Sequence, residues 1–350
     1  MAIPGRPLPA GPSADGRGPM NVIPGALGLT GEQVDSLLTT AGRAPSLHNS
    51  QPWRFGLAAQ AIELHADPER RLPATDPDDR ELRIACGAAL FNLRLALHGL
   101  GIRPVVTILP NRRRPTLLAV VRASGRKPAT PEQQRLLRAV PLRRTNRQPF
   151  TDTRVTVQEQ YALRRAAQDE GAWLHLVADP PQRRSLQQIA KRAHEVQMAD
   201  PQFRAELQRW LTDSGTSGVP ATAAGPPPEP QDKWVLRDYT AGTGQPRVPG
   251  KDFEPEPLIA VLTPYLGGPD GEIQAGQAMQ RVLLTATAEG LATSFLSHLV
   301  EVPRAREELR RLIGATQPPQ VVLRIGHGWP VPATPRRGTA DLVEPEPSRR

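Results

Sequence analysis

Apolar residues recur at helical spacing in several windows of the chain and alternate or run together in others, and this pattern alone predicts most of the elements. Val34, Leu37, Leu38 and Ala41 follow Thr30-Gly31-Glu32-Gln33. That is a capping-box signature opening a helix, and Pro45 ends it. Trp53–Leu57 and Ala61–Ala66 read as short strands. Asp76-Pro77 is read as the start of a long helix whose stripe is Leu82, Cys86, Ala89, Leu90, Leu93 and Leu97, stopped by Gly99 and Gly101. Ala88, Ala89 and Ala96 widen the stripe, so this helix should be buried on most sides. Strands follow at 104–109 and 117–122. A second capping box, Thr130-Pro131-Glu132-Gln133, opens a helix to Val140. Helices are expected at 157–168, 181–198 and 201–211, with a strand at 172–177. After a strand at 258–262, Ala278, Val282, Leu283, Ala286 and Ala288 mark a second buried helix over 276–289. A strand at 295–299, a helix at 304–313 and a strand at 320–325 complete the set.

Three stretches break the pattern. Residues 1–25 are rich in Pro and Gly and are expected to be disordered. Residues 212–257 are dense in Pro, Gly, Ser and Thr. An insertion this long inside a domain is more often a lid or binding loop than a spacer, and Trp234, Tyr239 and Phe253 favour one that packs on something. The tail after Gly338, including 341–350, reads as loose. A short internal echo is also present. Ala96-Leu97-His98-Gly99-Leu100 resembles Thr287-Ala288-Glu289-Gly290-Leu291. Each Thr-x-Glu-Gln helix precedes an Asn-x-Gln-Pro-aromatic segment, at Asn49–Trp53 and Asn146–Phe150. Two related halves, 26–140 and 141–340, are therefore expected.

Composition narrows the function classes. The formal net charge is +9, with 44 basic and 35 acidic residues. The basic residues are almost all Arg, spread among acids without a long run, which argues against a nucleic-acid partner. The single cysteine, Cys86, forms no internal disulfide and reads as a core residue, and no Cys/His spacing suggests a metal. No secretory h-region or bilayer-spanning run is evident, so a cytoplasmic protein without a membrane partner is expected. Gly326-x-Gly328 follows a strand, but Pro330 and Pro332 forbid the helix that a dinucleotide fingerprint needs. Walker A, His-Glu-x-x-His and Gly-x-Ser-x-Gly motifs are absent.

Three segments carry candidate chemistry. Ala44–Phe55 holds Pro45, Ser46, His48, Asn49 and Gln51 before a strand. It is either a polar turn or a set of amide-like groups for the edge of a flavin ring. Arg143-Arg144-Thr145-Asn146-Arg147 is either a solvated basic turn or a phosphate cradle, because guanidinium forks bind phosphate oxygens in pairs. Pro335-Arg336-Arg337 offers the same two readings.

Ala-Pro-Ser-x-x-Asn-x-Gln-Pro-Trp-Arg-Phe resembles the flavin-contact segment of the nitroreductase superfamily, and Arg143-Arg144-Thr145-x-Arg147 resembles its phosphate-holding segment. Gly290-Leu291-Ala292-Thr293 and the terminal Gly-x-Gly-x-Pro strand end are similar too. The order is that of a fusion of two half-sites, as in the Acg family, over about residues 28–340. The resemblance implies an α+β fold, a three-layer α-β-α sandwich in which the two halves form a pseudo-dimer. It implies one FMN per chain. Ser46, Asn49 and Gln51 would lie near the ring, together with Pro45 and His48. Arg143, Arg144, Thr145 and Arg147 would hold the phosphate, with Arg336 or Arg337. Thr293, Ser294, Phe295, Leu296 and Ser297 would lie at the reactive N5 edge. NAD(P)H is the candidate donor, although Phe295-Leu296-Ser297 stands where such enzymes often carry an acidic residue and a glycine. A nitroaromatic or quinone is the candidate acceptor, and no catalytic acid or base is required for hydride transfer. The second reading is a lidded FMN-sequestering protein with little turnover. The chain would act as a monomer or a homodimer.

Overall fold

The computed structural model describes residues 23–211, 215–229, 232–240, 242 and 256–344. The extension expected over 1–25 lies outside the described residues up to residue 22, as does Phe253. In chain order the helices are α1 (Gly31–Gly42), α2 (Arg80–Gly99), α3 (Pro131–Ala139), α4 (Val157–Gln168), α5 (Pro180–Ala199), α6 (Pro201–Leu211), α7 (Gly268–Ala288), α8 (His298–Glu301), α9 (Pro303–Leu312) and α10 (Thr339–Leu342). The strands are β1 (Trp53–Ala58), β2 (Ala61–Ala66), β3 (Ile102–Ile108), β4 (Leu117–Arg126), β5 (Ala172–Val177), β6 (Leu258–Pro264), β7 (Ala292–Phe295) and β8 (Val321–Gly326).

They form two four-stranded antiparallel sheets of one topology. The first runs β1-β2-β4-β3 and the second β5-β6-β8-β7. In each, a long helix (α2, α7) precedes an edge strand (β3, β7). This equivalence agrees with two related halves. The central helices cross between the sheets and share one core with their inner faces, among them Phe55, Leu64, Leu90, Leu93, Leu262, Val282 and Leu323. Burying each such side chain is worth roughly 1.5–3 kcal/mol. The crossing is close because Gly87 and Gly276 meet there. A Cβ on Gly87 would collide with the Ile273 carbonyl oxygen, and one on Gly276 with that of Ile84.

The second sheet is covered on both faces. Ala260 and Leu262 enter the central core, whereas Ile259, Val261 and Val322 pack under Leu186 and Ile189 of α5 and Leu309 of α9. Helices, sheet and helices thus form the expected α-β-α layers. The first sheet closes the far side of the central helices and leaves its own outer face toward solvent. That exposure gives β3 its alternating burial.

Several boundaries differ from the sequence reading for local reasons. The helix expected from Asp76 begins at Arg80, because Asp79 takes left-handed backbone (φ 56°). The Asp76 carboxylate instead accepts from the Glu81 and Leu82 backbone N–H groups and caps α2 from outside. The strand expected at 295–299 is displaced to β7, and the chain then turns into α8. The helix expected from 276 starts at Gly268, with Pro269 in its first turn. The start of the stretch read as a loose tail is docked. Leu342 is buried, Val343 bridges Phe55 in parallel, and Glu344 N–H donates to the Phe55 carbonyl. The remainder, 345–350, lies outside the described residues. No helix among the described residues is long and apolar enough to cross a membrane.

Candidate functional site

The loop after α1 is held in strained backbone. His48, Asn49 and Gln51 all have positive φ (52°, 57° and 53°), which non-glycine residues seldom adopt. Ser46 Oγ accepts from the Gln51 N–H at 2.9 Å and closes the loop. Asn49 Nδ2 donates to the carbonyls of Gly218 and Pro335, each at 3.0 Å. Gln51 Nε2 donates to the Thr216 carbonyl at 2.8 Å, and its Oε1 accepts from the Arg337 N–H. Two of the side chains expected beside the ring, Asn49 and Gln51, therefore tie the insertion and the tail to this loop. Pro45, Ser46, Leu47 and His48 face a cavity instead.

The Arg143–Arg147 segment is clamped by β7, β8 and the loop after β8. Asn146 N–H donates to the Thr293 carbonyl at 2.8 Å, and its Nδ2 to that of Trp329 at 2.9 Å. The buried Arg324 of β8 donates to the Asn146 and Gln148 carbonyls and lies 4.3 Å over the Phe150 ring. Gly326 and Gly328 permit this approach, since a Cβ on either would press into Phe150.

These loops meet over the amino-terminal half of α2. The cavity there encloses about 590 Å³ of non-atom space, open solvent included. Pro45–His48, Thr145, Arg147, Ser294, Phe295 and Ser297 line it, with Ile84 and Ala85 of α2 and Met279 of α7 as an apolar wall. Thr145 also lines an adjoining recess walled by Arg43, Arg143, Arg144, Thr334 and Arg336. Arg143 is 5% exposed, and its Nε and Nη1 have no hydrogen-bond partner among the described residues. Burial, then Arg336, Arg144 and Arg147, pushes its guanidinium down to about 9. Burial, then Arg43 and Arg144, pushes Arg336 down to about 10. Like charges gathered under cover with unused donors are arranged for an anion.

The other sequence candidates are placed differently. Arg337 is committed elsewhere: its Nη1 reaches the Gln51 and Trp53 carbonyls and Asp67, so it belongs to the support of the loop and not to the recess. Thr293 is buried and serves through its carbonyl. Leu296 lines a neighbouring chamber.

Sequence reasoning missed three groups, Arg43, Glu81 and Arg237, and had named Tyr239 only as an aromatic of the insertion. Arg43 directly precedes the motif and carried no spacing signal. Glu81 is the carboxyl on the cavity wall. Burial raises it to about 7, against the lowering effect of Arg80. Tyr239, from the insertion, closes one side with its ring 4.5 Å from the Arg147 guanidinium. Arg237, two residues earlier, pairs with buried Glu301 at 2.7 Å, while Trp234 packs beneath α5. Only the aromatics had hinted that this stretch packs on the body. His48 is neutral: burial, then Arg237 and Arg147, hold it well below its ordinary value, and neither ring nitrogen has a partner among the described residues.

No protein-family model matches the chain. A Mycobacterium tuberculosis protein provisionally named an NAD(P)H nitroreductase is 33% identical over 346 residues, 95% of this chain and 96% of that one. The M. tuberculosis protein named acg, with the same provisional label, is 32% identical over 319 residues, 88% of this chain and 94% of its own. Among solved structures, a Bacteroides fragilis nitroreductase with bound FMN is 12% identical at a TM-score of 0.35, covering 58% of this chain and 92% of that one. NfrA2 of B. megaterium is 14% identical at a TM-score of 0.37, covering 61% and 75%. The family assignment rests on the sequence relatives, which align over nearly the whole length: the chain belongs to the Acg family of nitroreductase-like proteins.

Proposed function

We propose that the chain binds one FMN and acts as a nitroreductase-like oxidoreductase on a small-molecule acceptor. The observation that carries this is the recess of buried, underpartnered guanidinium groups joined through Thr145 to a cavity with an apolar wall. Arg143, Arg144, Thr145, Arg336 and Arg43 would hold the phosphate. Ile84, Ala85 and Met279 would lie against the ring system, with Pro45–His48 and Ser294–Ser297 at its polar edges. Bound there, FMN supplies two-electron hydride chemistry at N5. The protein's part is to orient the ring, exclude water and supply N–H donors to charge on it. The relatives' names suggest NAD(P)H as the donor. Both half-sites come from one chain, so a monomer suffices.

The placement of Tyr239 favours a second reading, in which the insertion covers the ring and a nicotinamide cannot stack. Anaerobic NADPH titration of the FMN-loaded protein separates the two. Bleaching supports the enzyme. Bleaching by dithionite alone, restored to NADPH in Tyr239→Ala, supports sequestration. A preparation that does not quench FMN fluorescence on mixing overturns both.

A further inference from the structure

Beyond Phe295 and Tyr239 the main cavity continues into a second chamber of about 430 Å³ of non-atom space, open solvent included. The two share Arg147, Tyr239, Ser294, Phe295 and Ser297. Arg147, Arg237 and Arg324 stand on its wall, and no Asp or Glu does among the described residues. Glu301 pairs with Arg237 through Nη2 at 2.7 Å, and the same nitrogen donates to Gln197. Two further groups on the wall are nine-tenths buried with a polar atom unpartnered among the described residues, His298 Nε2 and Trp234 Nε1. His298 is neutral there, because burial, then Arg237 and His194, disfavour its cation. The buried Trp234 Nε1–H without an acceptor, beside guanidinium groups in an enclosed space, leaves a desolvation cost that an acceptor-rich anion offsets. Trp234, Tyr239 and Phe295 supply flat apolar surface alongside.

We propose that this chamber is a subsite for a small aromatic carboxylate, its carboxylate directed at Arg237 and its ring against Trp234 and Tyr239. The proposal rests on the flavin reading of the main cavity, since that makes the chamber the berth for the charged end of a redox partner. The insertion then selects by charge as well as by covering the site.

The probes are 4-nitrobenzoate and its uncharged methyl ester, titrated calorimetrically into the full-length, FMN-loaded protein at low salt. The acid is expected to bind at least tenfold more tightly than the ester, with the preference shrinking as salt is raised. Arg237→Gln should abolish the preference. Glu301→Gln breaks the same ion pair but leaves the guanidinium in place, and it should keep or strengthen the preference. Equal binding of acid and ester by the wild type overturns the proposal. So does an Arg237→Gln protein that still prefers the acid, or a Glu301→Gln protein that loses the preference. In the last case docking of the insertion, not charge, would be responsible. If the protein does not take up FMN, the flavin reading fails, and the same comparison on that protein still decides the chamber.

Discussion

Replacing Arg143 with Met should weaken FMN binding by two to four orders of magnitude while leaving the fold nearly untouched. The magnitude follows from the recess. Arg143 holds two nitrogens, Nε and Nη1, buried and without partners among the described residues. A phosphate there would accept a charge-assisted hydrogen bond from each, worth roughly 1.5–3 kcal/mol apiece. The sum is about 3–6 kcal/mol, or about 100-fold to 10,000-fold in Kd at ~1.4 kcal/mol per decade. The lower end is the better expectation, because Arg336 and Arg144 remain to take up part of the charge. Met preserves the apolar stem. It also removes a cation that burial and three neighbouring Arg side chains disfavour, so the apoprotein should melt within a few degrees of wild type. Flavin fluorescence quenching gives the affinity and calorimetry the melting temperature. Arg113 lies on an exposed turn, and Arg113→Met is the control. Equal weakening by the two substitutions, or an Arg143→Met affinity within threefold of wild type, would refute the phosphate assignment.

Glu81 sets an acid-side pH dependence. Its carboxyl is raised from 4.5 to about 7 by burial. The folded state therefore binds more protons than the unfolded one between these values, and stability falls as pH rises from about 4.5 to about 7. The total is on the order of 3 kcal/mol. Urea midpoints at pH 5 and 7.5 should converge in Glu81→Gln; an unchanged difference would exclude Glu81 as the source. Gly87→Ala drives a methyl into the Ile273 carbonyl at the α2–α7 crossing and should destabilise by about 1–3 kcal/mol or more. A wild-type unfolding midpoint would show that the helices can separate freely. Cys86 is fully buried, with its thiol pushed up by burial and Sγ 3.2 Å from the Pro52 carbonyl. A thiol reagent should label it only after unfolding, and prompt labelling of the native protein would contradict this.

Elements defined by short-range chemistry were legible in the sequence. The capping boxes at Thr30 and Thr130 both form, and α4, α6, β2 and β5 fall where periodicity put them. Elements defined by distant partners were not. The start of α2 depends on a carboxylate four residues upstream, and β7 is short because it exists only by pairing with β8. The site divides the same way. Ser46, Thr145 and Arg147 face the cavity, but Asn49 and Gln51 are spent on Gly218, Thr216 and Pro335. A motif gives the identity of polar groups and not the direction they point. Arg336 and Arg337 show this most directly, adjacent in sequence with one in the recess and the other beneath the loop. Tyr239 and Arg237 carried no motif, because their role comes from where the insertion crosses the body.

The docking of Val343 on Phe55 has a consequence for solution behaviour. β1 is an edge strand of the first sheet, and an open edge offers unpaired N–H and C=O groups to any other chain. Here Val343 bridges that edge in parallel, and Glu344 N–H takes up the Phe55 carbonyl. Val343 and Glu344 thus cover part of an edge that another strand could otherwise pair with. Trimming the chain back to Gly338 would leave the β1 edge open at Phe55 and is expected to promote self-association.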